Sequence, residues 1–237
     1  MRFYWLNKQN NKNLLVFFVG WSFDFRPFEF LDCENYDVLI IYDYSNIIQP
    51  KKDFVSDLPK LINVRDYEKS YLVAWSMGVF TAFYLRDILP EFTKKIAING
   101  TVLPVDNEYG IPLKPFLLTL KHAKIGLEGK FYQNIFDKQE EFEEYIKNPV
   151  ERTIQNRVEE LQNLYEKIKN YEQEFKQTKE EILKNSFKFY DSAIISKNDK
   201  IIPPANQLNF WKSKAQFIDS GHFPYYNFKS WNEIICK

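Results

Sequence analysis

The chain has 237 residues, 45% hydrophobic and 18% aromatic, with 32 Lys+Arg against 32 Asp+Glu. That composition supplies a sizeable core and excludes disorder of the chain as a whole, and a net charge of zero leaves no electrostatic footprint for nucleic acid. Two cysteines, Cys33 and Cys236, cannot make a disulfide framework and lack zinc-ligand spacing, so reduced thiols in a cytoplasmic protein are expected.

The start, Met1 to Asn13, is polar. The apolar run Leu14–Val19 that follows is too short for a signal segment or a membrane span and reads as the first buried strand. Val38–Tyr42, Tyr71–Ala74 and Lys95–Asn99 repeat the pattern, as strands of a parallel sheet buried on both faces require. Between the last two, Met77–Leu89 has helical apolar spacing and ends before Pro90, where a helix must stop or kink. Beyond Asn99, Pro104, Pro112 and Pro115 break the pattern and Gly110, Gly126 and Gly129 punctuate it, which places a boundary near Val105. From Asp137 to Phe189 the chain is Glu/Lys-rich and helical, with Ile154, Val158, Leu161, Tyr165, Ile168 and Phe175 on one stripe. Lacking an unbroken heptad seam, this stripe predicts a helix packed on a globular body rather than a coiled-coil arm, its charges mostly a solvated face. Strand patterns resume at Asp191–Ser196 and Ala215–Ile218. Residues 1–105 and 190–237 are therefore expected to form one α/β core, a mostly parallel twisted sheet flanked by helices, with 106–189 as a helical insertion.

In Val73-Ala74-Trp75-Ser76-Met77-Gly78 a serine sits between an apolar strand and an amphipathic helix, with small residues two positions before and after it. A nucleophile elbow needs that spacing, because its strained turn brings neighbouring backbones close; Ala74 stands where glycine is usual. The plain alternative is a helix N-cap serine. Serine needs a base, and the sequence offers two histidines. His222 follows the last strand through Asp219-Ser220-Gly221, at the carboxyl edge of the sheet where Ser76 would emerge; His122 lies in a Lys-rich stretch and reads as a surface residue. Asp199, just after the strand ending at Ser196, is the carboxylate best placed to orient His222, ahead of Asp219 on the same strand as the histidine and Asp191 at the far edge. The order Ser76, Asp199, His222 is that of an α/β-hydrolase. The competing readings are a loop histidine that bonds only backbone and a solvated loop aspartate. Backbone amides of Met77 and Trp21 would hold the oxyanion, with the Trp21 ring walling the acyl pocket, unless Gly20-Trp21 is simply a turn with a packed aromatic. No phosphate loop, metal cluster or dinucleotide fingerprint occurs, so neither cofactor nor metal is expected. Lys114, Lys121, Lys124 and Lys130 form a modest basic segment, suited either to an acidic partner or to a solubilising surface.

These residues resemble the pimeloyl-[acyl-carrier protein] methyl ester esterases of the BioG type. The likeness rests on Phe18-Val19-Gly20-Trp21, Ala74-Trp75-Ser76-Met77-Gly78, Asn198-Asp199 with Ile201 and Pro203, Asn206-Gln207, Phe210-Trp211 and Gly221-His222-Phe223-Pro224. It implies an α/β-hydrolase that cleaves the methyl ester of a pimeloyl chain carried by acyl-carrier protein, in biotin synthesis. It further implies that Ser76, His222 and Asp199 form the catalytic triad, that Trp21 and Met77 supply the oxyanion amides, and that 106–189 is a lid whose basic outer face receives the carrier. Two rivals share the same residues: another serine hydrolase, such as a carrier-protein thioesterase or a general carboxylesterase, and a non-enzymatic protein that pairs through its Ile154–Phe175 helix.

Overall fold

A computed structural model describes residues 1–47 and 58–237. Its framework is a seven-stranded sheet in the order β1-β3-β2-β4-β5-β6-β7. The strands are β1 (Arg2–Asn7), β2 (Asn13–Phe18), β3 (Tyr36–Tyr42), β4 (Lys69–Trp75), β5 (Lys94–Ile98), β6 (Ser192–Ser196) and β7 (Ala215–Ile218). All neighbours are parallel except β1, which runs antiparallel to β3. The predicted α/β class is the observed one. Leu14 to Val19 and Val38 to Ile41 have no solvent exposure, as central strands covered on both faces must.

Strand β1 falls in the stretch read from sequence as a polar start. The strand does carry a short apolar run, Phe3-Tyr4-Trp5-Leu6, but it is followed by the polar stretch from Asn7 to Asn13, which gives the segment its polar average; as an antiparallel edge it needs only one covered side. Phe3 and Tyr4 remain largely exposed, and Tyr4 stacks on Phe25 with ring centroids 3.6 Å apart.

Helix α1 (Met77–Tyr84) follows β4 and is shorter than the predicted 77–89 span. Its last turn is closed by Arg86, whose Nη1 donates to the Phe83 carbonyl at 2.9 Å, and a 3₁₀ turn covers Arg86–Ile88 before Pro90. Between β5 and β6 lie α2 (Leu113–Lys121), α3 (Ala123–Glu128), α4 (Gln139–Tyr145), α5 (Ile154–Phe175) and α6 (Lys179–Phe189). Helix α2 tolerates Pro115 because the proline sits in its first turn, where no intrahelical N–H bond is lost. The helical stretch read as continuous is divided twice. Pro149 lies in the break before α5; Lys176, left-handed at φ 51°, ends α5, and a Thr178/Glu181 capping box starts α6. Helix α7 (Pro204–Trp211) follows β6, and α8 (Trp231–Ile235) closes the chain.

The α5 stripe packs on the body. Leu161, Leu164 and Tyr171 are buried, and Ile154, Val158, Tyr165, Ile168 and Phe175 lie against the core. The buried face also holds Arg157 and Glu160, so the charges of this helix are not uniformly a solvated surface. Its C-terminal half lies on α1: Tyr171 contacts Phe80 at 5.7 Å between ring centroids, and its hydroxyl accepts from Arg86 at 2.8 Å.

Candidate active site

Ser76 joins β4 to α1 with φ 56° and ψ −125°, a conformation costly for any residue with a Cβ and sustained only where the surroundings hold it. Its N–H donates to Ile98 O at 2.9 Å and its carbonyl accepts from Val79 N at 3.0 Å. The backbones on either side come very close. A Cβ at Gly78 would lie 2.3 Å from the Phe18 carbonyl oxygen, and one at Gly20 only 3.0 Å from the Ser76 Cβ. Although Ser76 stands at the N-cap position, its side chain makes no capping bond. Instead Ser76 Oγ is 2.9 Å from His222 Nε2.

His222 Nδ1 lies 2.9 Å from Asp199 Oδ2. Asp199 follows β6, and its buried carboxylate is surrounded by donors. Oδ1 accepts from the N–H groups of Ile201 and Ile202 at 2.8 and 2.9 Å, and Oδ2 also accepts from Gln207 Nε2 at 2.9 Å. That leaves Nδ1–H on the histidine and an acceptor at Nε2 facing the serine hydroxyl. The His222 carbonyl is pinned by Trp75 Nε1 at 2.8 Å and Asn99 Nδ2 at 2.9 Å. Asn99, at the end of β5 with φ 42°, also exchanges two bonds with Ser196, each of 2.7 Å, so one side chain ties three strand ends together.

Of the residues singled out from sequence, Ser76, Asp199 and His222 come together, and Trp21 and Met77 line the same cavity. Met77 is the first residue of α1, so its N–H has no acceptor within the helix. Asp219 instead accepts from Asn198, Asp191 accepts from the Lys95 N–H at the opposite sheet edge, and His122 is exposed. Sequence reasoning gave no role to Gln207, Asn99 or Glu160. The advance signals were the Asn206-Gln207 pair within the family resemblance, which carried no role, and an asparagine at a strand end, where a positive φ is tolerated.

The cavity holds about 430 Å³ and is walled by Trp21 and Trp75 from the sheet side and by Phe116, Phe131 and Leu161 from the helical segment between β5 and β6. Behind Trp21 lies a buried charge cluster. Arg152 Nη1 meets Glu160 Oε2 at 2.8 Å and Nη2 meets Asp43 Oδ1 at 3.1 Å. Burial pushes the Glu160 carboxyl pKa up, opposed by Arg152 and by the Tyr44 and Ser22 N–H groups. Burial works the same way on Asp43, but there Arg152 and the Ser45 and Asn156 bonds prevail and hold its pKa below the usual carboxylate value. Among the described residues no three His, Cys, Asp or Glu side chains are grouped to hold a metal ion, and no helix is long and apolar enough to cross a membrane.

A parallel sheet with a serine on the β4–α1 turn, an aspartate after β6 and a histidine after β7 defines the α/β-hydrolase fold. A carboxylesterase from the thaumarchaeon Nitrososphaera gargenis, 12% identical, has the same fold, with a TM-score of 0.62 over 99% of this chain and 92% of its own. Within that class, the family described as pimeloyl-ACP methyl esterase BioG matches residues 1–234, and the chain belongs to it. The crystal structure of BioG from Haemophilus influenzae is 28% identical, with a TM-score of 0.79 over 98% of this chain and 99% of that one. A malonyl-[acyl-carrier protein] O-methyltransferase of Bacteroides fragilis is 31% identical over 219 residues, which are 90% of this chain. The chain spans 40% of the length of that relative.

Proposed function

We propose that this chain is a serine esterase that hydrolyses the methyl ester of pimeloyl-acyl-carrier protein methyl ester, releasing methanol and the carrier-bound acid for biotin synthesis. The observation that carries the reading is the 2.9 Å contact from Ser76 Oγ to His222 Nε2, backed by the equal contact from Nδ1 to Asp199. Ser76 attacks the ester carbonyl while His222 takes its proton, and Asp199 stabilises the imidazolium without itself being protonated. The tetrahedral oxyanion is held by the N–H groups of Met77 and Trp21, the former at the positive end of α1. His222 then protonates the departing methoxide. A water molecule, deprotonated by the same imidazole, attacks the acyl-serine; as the acyl–oxygen bond breaks, His222 gives that proton to Ser76 Oγ and the free acid leaves. The reaction calls for neither metal nor organic cofactor.

Three further observations support the substrate class. The cavity wall is aromatic and aliphatic, as a methylene chain requires. Helices α2 and α3 expose Leu117, Leu118 and Ile125 beside Lys114, Lys121 and Lys124, a basic and apolar face suited to an acidic carrier and to the role of 106–189 as a lid. The relative of which this chain spans 40% is named for the methylation of a carrier-bound acyl group, the chemistry that this chain would reverse by hydrolysis. A carrier-protein substrate puts the reaction in the cytoplasm.

The test offers the protein both methyl pimeloyl-carrier protein and the corresponding free-acid thioester. Methanol release with the thioester intact is the expected result, and turnover should be lost in Ser76→Ala. Cleavage of the thioester with the methyl ester left intact would instead make the chain a carrier-protein thioesterase.

A further inference from the structure

We infer that one turn of the insertion, Arg157–Glu160, positions the oxyanion loop, the Glu160 carboxylate holding the Ser22 N–H and the Arg157 carbonyl holding the Trp21 indole. The inference rests on the assignment of the Trp21 amide made above and makes α5 part of the catalytic machinery rather than only a cover over it.

Four observations converge on this turn. Glu160 is fully buried, with Oε2 accepting from Ser22 N at 3.0 Å and Oε1 from Tyr44 N at 2.7 Å. Trp21 Nε1 donates to the Arg157 carbonyl at 2.7 Å, three residues away on the same helix. Ser22 has φ 76°, the left-handed region, so the loop does not hold this shape by intrinsic preference. Arg152 Nη1 fixes the Glu160 carboxylate from the remaining side at 2.8 Å.

The mechanical consequence follows from peptide planarity. The Ser22 N–H belongs to the plane that begins at the Trp21 carbonyl, so fixing it sets the Trp21 ψ angle, while the indole bond fixes the side chain. With its carbonyl carbon and its side chain both held, tetrahedral geometry at Cα places the Trp21 nitrogen, so the site from which its N–H must donate is held from both sides. In Glu160→Gln the amide has one acceptor oxygen where the carboxylate had two, so its NH₂ group must face either Ser22 N–H or Tyr44 N–H, and a donor meets a donor. Arg152 and Glu160 are thus positioning residues, acting through the Trp21 loop.

The experiment compares Glu160→Gln with Asp37→Asn, a stability control at the other end of β3, in the full chain. Expected for Glu160→Gln is a fall in kcat of about 10- to 100-fold, a KM changed by less than about threefold, and a loss of affinity for an alkylboronic acid by the same factor as kcat. Asp37→Asn is expected to lower the melting temperature yet keep kcat and boronate affinity. Unchanged kcat and boronate affinity in folded Glu160→Gln would overturn the inference, as would equal losses in the two variants. Should Glu160→Gln not fold, Trp21→Phe, which removes the indole bond to Arg157 together with part of the cavity wall, decides through the split between kcat and KM: parallel falls in kcat and boronate affinity beyond any rise in KM support the positioning role, and a change confined to KM, or no change, defeats it. Turnover surviving in Ser76→Ala would defeat the esterase reading itself, a result distinct from any of these.

Discussion

Asp199 is surrounded entirely by donors. Four N–H groups converge on its two oxygens, from Ile201, Ile202, Gln207 and His222. The Ile201 and Ile202 N–H groups cannot become acceptors, so an asparagine in its place keeps its oxygen on them and turns its NH₂ to His222, whose Nδ1 must then accept; the Asp199→Asn variant thereby loses the tautomer that leaves Nε2 free to accept from Ser76. The expected outcome is a drop in kcat of about 10³- to 10⁴-fold, measured at saturating ester, with KM little changed. A loss below tenfold would remove Asp199 from the proposed relay. The juxtaposition of these three residues was legible for different reasons: the sequence has two histidines, of which one follows a strand, Ser76 sits between a strand and a helix, and Asp199 was separated from Asp219 and Asp191 by chain order and by which end of a strand it occupies. Gln207, Asn99 and Glu160 were not legible. A glutamate in a Glu/Lys-rich helix looks like every other solvated charge, and nothing local distinguishes position 160 from its exposed neighbour Glu159; the distinction is made by the Ser22 and Tyr44 N–H groups, more than a hundred residues away.

At the level of elements, the β4–α1 junction is set by how closely α1 approaches β2. With its Cβ required to sit 2.3 Å from one backbone oxygen and 2.7 Å from another, Gly78→Ala can be accommodated only if helix and strand separate. An expected cost of about 3 kcal/mol, read by denaturant unfolding, should come with loss of turnover, because Ser76 rides on the same turn. Stability close to that of the parent would show that the junction has slack. At the other end of β3, Asp37 ties the β1–β2 turn to the sheet, accepting from Gln9 N at 2.9 Å, Asn11 N at 3.1 Å, Lys8 Nζ at 3.1 Å and Tyr67 Oη at 3.0 Å. Burial opposes its ionisation, but these bonds outweigh it and hold its pKa below the ordinary carboxylate value. A carboxyl with a depressed folded-state pKa contributes stability above the ordinary carboxylate range and loses it as pH falls through the depressed value. Asp37→Asn is therefore expected to cost about 2 kcal/mol near neutral pH and to flatten the acid limb of the stability profile. An unchanged acid limb would assign that slope to other carboxylates. Strands β2 to β7 could be read from their apolar runs, whereas β1 and α2 escape such a reading, the first because its run Phe3-Tyr4-Trp5-Leu6 is short and merges into the polar stretch from Asn7 to Asn13, the second because Pro115 resembles a breaker until its place in the first turn is known.

For the molecule as a whole, the cavity belongs to neither half of the chain. Trp21, Trp75 and His222 come from the sheet, while Phe116, Phe131 and Leu161 come from the helical segment between β5 and β6, and exposed Thr119, Asn134 and Lys200 are also among its lining. No periodicity in the sequence could reveal that wall, since it exists only where segments distant in the chain meet. An ester placed at Ser76 must run its acyl chain along these aromatic and aliphatic side chains before reaching the polar residues. Each methylene buried on that path contributes about 0.8 kcal/mol, or about fourfold in kcat/KM if it is held equally in the transition state. Across methyl esters of carrier-bound diacids of increasing length, kcat/KM is expected to climb by about that factor per methylene and then level off once further methylenes no longer contact the wall. Leu161→Ala should lower the climb without abolishing it, because the sheet-side wall remains. If kcat/KM proves independent of chain length, the apolar cavity is not the acyl site.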